Sequence, residues 1–126
     1  QYNRNYSCAS MMEKIKIDSF NKNKNKSEIF EIDFNQKCPK NYYKAGVTVQ
    51  TGSNPTYHFY RQDKSGRWSH KPGTLPIEDI DSNENPIWAP HLAGRNYRKD
   101  GSGLNYDQWC SYFCVPRNYH ADTHAI

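Results

Sequence analysis

YHFYRQDKSGRWSH, residues 57–70, is the stretch whose reading decides the fold. Two aromatic-rich arms flank Asp63-Lys64-Ser65-Gly66. Aspartate at the first position and glycine at the fourth suit a type I turn closing on a left-handed residue, the loop of a bulged β-hairpin. That register pairs Asp63 with Arg67 and sets Tyr60 opposite His70. His58 and His70 then lie diagonally on one sheet face. A plain four-residue loop sets Phe59 opposite His70 instead and sends the histidines to opposite faces, because one step of register reverses every side chain. The turn chemistry favours the first arrangement.

Working outward, YYKAGVTVQ (42–50) is a strand whose Tyr43, Ala45, Val47 and Val49 share a face, and EIFEIDF (28–34) is a second alternating segment. Upstream, SCASMMEKIKID (7–18) carries Cys8, Met11, Met12 and Ile15 at the spacing of one helix face. Ser7 is one candidate cap for that helix. Ser10 with Glu13 as a capping box is the other. Residues 19–27 read as a polar loop. Beyond Lys71 the chain is rich in turn residues, and KPGTLP, EDIDSNENP and IWAPHLAG predict irregular wrapping anchored by Trp88. LNYDQWCSYFCVP (104–116) predicts a short apolar strand or helical turn. The expectation is one domain over 1–126, of α+β class, with an N-terminal helix packed on a small antiparallel β-sheet and a loop-rich C-terminal half.

Hydrophobic residues make up 35% of the 126 and aromatics 14%, with ten tyrosines. So few aliphatics predict a thin core built on aromatic area and completed by disulfides or a partner. The net charge is +4. Its basic excess sits in NKNKNK (21–26) and RNYRKD (95–100), read as solvated loops. Lysines alternating with asparagines and lacking interleaved aromatics argue against a nucleic-acid groove. No apolar run approaches the roughly 18 residues of a membrane-spanning helix. The four cysteines, Cys8, Cys38, Cys110 and Cys114, permit two disulfides in three connectivities. The Cys110/Cys114 spacing suits a disulfide or two buried thiols better than a zinc knuckle. Two sequons, Asn5-Tyr6-Ser7 and Asn25-Lys26-Ser27, and a chain opening on Gln1 are compatible with a secreted or extracytoplasmic product processed from a longer precursor.

Thiol catalysis needs a cysteine of depressed pKa, a histidine within reach and a polar group to orient that histidine. Cys8 at a helix start, His58 on a strand and His70 on the next fit that scheme in order and element type. The same order of helix cysteine, strand histidine and second polar residue resembles the NlpC/P60 branch of the papain-like cysteine peptidases and amidases. The resemblance covers roughly residues 7–72. It implies a papain-like core and amide-bond hydrolysis, with Cys8 as nucleophile, His58 as base and His70 as orienting residue. The surroundings depart from the family: NYSCASMM (5–12) lacks its usual Asp-Cys-Ser-Gly. An inactive relative fits the same residues.

Other chemistries are less well served. His58, His70, His91, His120 and His124 are metal-ligand types, but none forms a helical pair on an apolar face, and no metal or cofactor is expected. Gly101-Ser102-Gly103 reads as a turn rather than a phosphate loop, and Glu78, Asp79 and Asp81 as solvated carboxylates. The competing reading is a non-catalytic interaction or structural protein. Its loop Tyr and Trp residues would meet a peptide or protein partner within a larger assembly.

Overall fold

In the computed structural model, residues 7–23, 29–52, 55–71, 76–98 and 104–117 are described. Both sequons, His120, His124 and the Gly101–Gly103 turn fall wholly or partly outside them.

β2 (Tyr42–Gln50) is the spine of the sheet. It is buried along almost its whole length, with Tyr43, Ala45, Val47 and Val49 facing one side and Gly46, Thr48 and Gln50 the other. A strand covered on both faces needs a layer above and a layer below. The chain supplies a helix for one and an irregular aromatic loop layer for the other.

β3 (Thr56–Gln62) and β4 (Trp68–Ser69) form the hairpin read from the turn chemistry. The Asp63 N–H donates to the Arg67 carbonyl (2.8 Å), the Gly66 N–H donates to the Asp63 carbonyl (2.9 Å), and Gly66 takes φ +94°. A side chain would be strained there, which is why glycine closes the turn. Arg61 pairs with Ser69 and Gln62 with Trp68. With β1 (Phe30–Ile32) and β5 (Gln108–Pro116), the strands make one five-stranded sheet in the order β1-β5-β2-β3-β4. Every neighbouring pair is antiparallel.

β5 is a full central strand rather than a short docking piece. Its register shifts against β2 between Val47 and Thr48, leaving Cys110 as the extra residue between Trp109 and Ser111. This bulge changes the phase of the alternation. Trp109 and Tyr112, three apart, both join the loop-side cluster, while Cys110 turns to the helix side.

α1 (Cys8–Asn23) begins at Ser7, whose hydroxyl accepts the Ser10 N–H (3.2 Å). Ser7 is therefore the cap, and the helix runs five residues past its expected end at Asp18. Met12 and Ile15 pack with Ile29, Tyr43, Val47 and Phe113.

The expected α+β, papain-like core is not what the chain builds. Among the described side chains the helix contributes Met12 and Ile15 to one cluster, whereas the strands supply most of both hydrophobic clusters. The result is a small β-rich domain. The wrapping segment is anchored differently as well: Ile87 is 1% exposed and packs against Tyr60, Trp68 and Tyr112, while Trp88 is 58% exposed.

Candidate functional site

His58 and His70 come together as the hairpin register requires. Both are buried, at 7% and 3% exposure. His58 Nε2 lies 2.8 Å from His70 Nδ1, and His70 Nε2 lies 2.8 Å from the Ile80 carbonyl oxygen. A carbonyl only accepts, so the neutral His70 carries its proton on Nε2 and leaves Nδ1 as acceptor. His58 must then donate from Nε2. Both tautomers are set by one backbone carbonyl ten residues downstream.

The rest of the cage is aromatic. His58 stacks on Tyr106 (4.7 Å between centroids, 19° between planes) and meets Tyr60 edge-on (5.2 Å). Burial, with the charge of a protonated His70 second, pushes the His58 pKa down to about 3. Burial lowers His70 too, opposed in part by its bond to the Ile80 carbonyl. Burial raises Tyr60, Tyr97 and Tyr106 above the ordinary phenol value. These groups are held neutral by the dry interior.

Cys8 is not part of this cluster. Its sulfur is bonded to Cys110, and Cys38 is bonded to Cys114. A disulfide sulfur is no thiolate, so in this state Cys8 cannot be the nucleophile that the resemblance assigns it. It also lies on the wrong side of the sheet. Cys110 packs into the helix-side cluster with Phe59, whereas His58, next to Phe59 in the strand, points to the loop side. A shallow groove beside Cys8 is lined by Ala9, Met12, Glu13, Glu31 and Ser111, with no histidine.

What the histidine pair does in the structure is tie the loop layer to the sheet. The His70 backbone exchanges two hydrogen bonds with Glu78 (2.9 and 2.8 Å) while its ring holds Ile80. Three residues missed by sequence reasoning extend that tie. Asp81 is 8% exposed rather than solvated. Its carboxylate accepts the backbone N–H groups of Asn83 (2.8 Å), Asn85 (3.0 Å) and Gly94 (2.9 Å). Asp-Ser-Asn-Glu-Asn is the kind of spacing from which an Asx turn could have been read. Arg95 donates to the carbonyls of Tyr106 (2.9 Å) and Pro90 (3.0 Å), and Tyr112 Oη lies 2.6 Å from His91 Nδ1. Among the described residues no group of three or more histidine, cysteine or carboxylate side chains is arranged to hold a metal ion. No described helix is long and apolar enough to cross a membrane.

The chain is 43% identical over 47 residues to "Insoluble matrix shell protein 1" of Ruditapes philippinarum, a match covering 37% of this chain and 32% of that protein. The chain thus spans about a third of the length of the curated relative it matches. No family model matches the chain, and no solved structure matches it.

Proposed function

We propose that this chain is a non-catalytic structural domain, a component of a larger protein assembly of the insoluble-matrix kind. The observation that carries the reading is the local 43% identity to a matrix protein. Two features of the molecule support it. The four cysteines are committed to disulfides, none of them left as a thiol. The buried histidine pair, His58 and His70, is bonded ring to ring and to the Ile80 backbone carbonyl, with no cysteine thiol beside it. Buried, tautomer-locked histidines of this kind stiffen a loop.

The test has a chemical and a biological arm. The purified oxidised protein, titrated for thiols in denaturant without reductant, should give none, and it should cleave no peptide or peptidoglycan amide with or without mild reductant. In the source tissue an antibody should find it in the insoluble extracellular fraction. Recovery as a soluble protein with thiol-dependent hydrolysis that disappears in Cys8→Ala would overturn the proposal.

A further inference from the structure

We propose that a basic groove at one end of the sheet docks a carboxylate-rich polypeptide segment of a partner protein. The groove, about 510 Å³ in volume, lies where the 33–41 loop, the start of β2, the β3–β4 turn and the residue after β5 meet. Lys37, Lys44, Lys64 and Arg117 line it against one carboxylate, Asp63. That carboxylate already accepts a hydrogen bond from the Ser69 hydroxyl (3.1 Å). Arg61 adds charge at the rim. Its guanidinium sits 4.0 Å from the centre of the Tyr43 ring, which also lies 6.0 Å from that of Arg117. Among the described residues none of these cations forms an ion pair, while Arg67, outside the groove, is paired with Asp79 at 3.3 Å.

The frame beneath the charges is fixed. Cys38–Cys114 ties the loop to the central strand β5. The Gln36 side-chain oxygen accepts the Asp33 N–H (2.8 Å), and the Lys44 ammonium donates to the Phe34 carbonyl (2.7 Å). Like charges held together on a rigid surface repel, and an anionic partner relieves that repulsion while being steered to the site.

The lining offers three ammonium groups and one guanidinium, charges that attract any flexible anionic chain, so the choice of a polypeptide rests on the neutral groups between them. Asn35 and Gln62, also in the lining, present amide groups that match peptide N–H and C=O. The inference gives the assembly role proposed above a partner class, and rests on that reading for its context. Its test is binding in solution, which can fail while the thiol and tissue results stand.

The probe is a fluorescein-labelled poly-aspartate of about twenty residues, followed by anisotropy at low and at moderate salt, since exposed charge contacts weaken as the screening length shortens. Lys37→Glu/Lys64→Glu should weaken binding about tenfold or more at low salt. Lys14→Glu/Arg98→Glu, an equal change of net charge at exposed positions outside the groove, should change it less than about twofold. All four positions are exposed, so both variants should keep the wild-type circular dichroism and melting temperature. Absence of binding by the wild type, or equal weakening by both pairs, would overturn the proposal. So would a preference for a sulfated polysaccharide over poly-aspartate at matched charge.

Discussion

The imidazoles of His58 and His70 meet edge to face, their planes 86° apart, and share one hydrogen bond inside a layer of tyrosine rings. The pair can accept one proton without breaking that bond, at His58 Nδ1, while the Nε2 proton goes on bridging to His70. Accepting it still places a charge in a dry interior, which is why both pKa values are depressed.

This depression has a sign. In the unfolded chain both rings return to about 6.5. A group whose folded pKa is lowered supports the fold above its unfolded pKa and withdraws that support as pH falls toward the folded value. Here the window runs from 6.5 down to about 3 for His58. The loss approaches about 1.4 kcal/mol per pH unit for each histidine that stays neutral. Urea midpoints should therefore fall between about pH 7.5 and 5.5, above the range in which ordinary carboxylates titrate. His58→Gln, which keeps a donor toward His70 but cannot titrate, should make the slope shallower. Equal midpoints across that range would mean that the rings protonate as readily folded as unfolded.

Gly46 leaves room for the Trp109 ring. A Cβ at this position would overlap the ring, with Cζ2 at 2.9 Å, and press on Tyr112 at 3.4 Å. Gly46→Ala should cost about 1–3 kcal/mol as an overpacked core site, with a changed near-ultraviolet dichroism from Trp109. A variant as stable as wild type would show that the ring yields freely.

The two disulfides close 102 and 76 residues of chain. Loop-closure entropy assigns about 4–5 kcal/mol to each, taken singly. Cys8→Ala/Cys110→Ala should lower the melting temperature and release α1, read as lost helical signal at 222 nm in circular dichroism with the strand signal retained. Cys38→Ala/Cys114→Ala should lower it comparably while freeing the 33–41 loop to proteolysis. If the first pair left helical content intact, side-chain packing such as that of Met12 and Ile15 would be holding the helix without the cystine.

Asp81 gathers three backbone N–H groups with one buried carboxylate. Asp81→Ala should cost about 2–4 kcal/mol, since charge-assisted bonds contribute roughly 1.5–3 each and do not add fully. It should open the 81–94 loop to limited proteolysis. Asp81→Asn, which keeps one acceptor oxygen, should fall between. An Asp81→Ala loop as resistant as wild type would place the anchor at Ile87 instead.

Local signals carried the hairpin and β2. The Asp63–Gly66 turn set the register, and β2 appears over the nine residues whose alternation predicted it. The papain-like core failed because it rested on residue order alone, without regard to which face each side chain meets. Cys8 and His58 do occur on a helix start and a strand, yet a bulge at Cys110 draws the sulfur to the opposite side of the sheet. A bulge arises from packing between distant strands, so nothing near Cys8 announces it. Asp81 was misread because its neighbours Glu78 and Asp79 are charged and partly or wholly exposed. Its burial depends on Gly94, thirteen residues away. The sequence reads Trp88 as the anchor, whereas the inward position falls to Ile87.

Both cystines end on β5, which lies inside the sheet between β1 and β2 although it is the last of the described strands. During synthesis, therefore, β2 acquires β3 early but keeps its other edge open until residues beyond 107 emerge. Of the four cysteines, Cys8 and Cys38 are translated long before either correct mate and can bond to each other in the meantime. An oxidising compartment would have to delay that premature bond, or an isomerase undo it, before the nascent polypeptide could close.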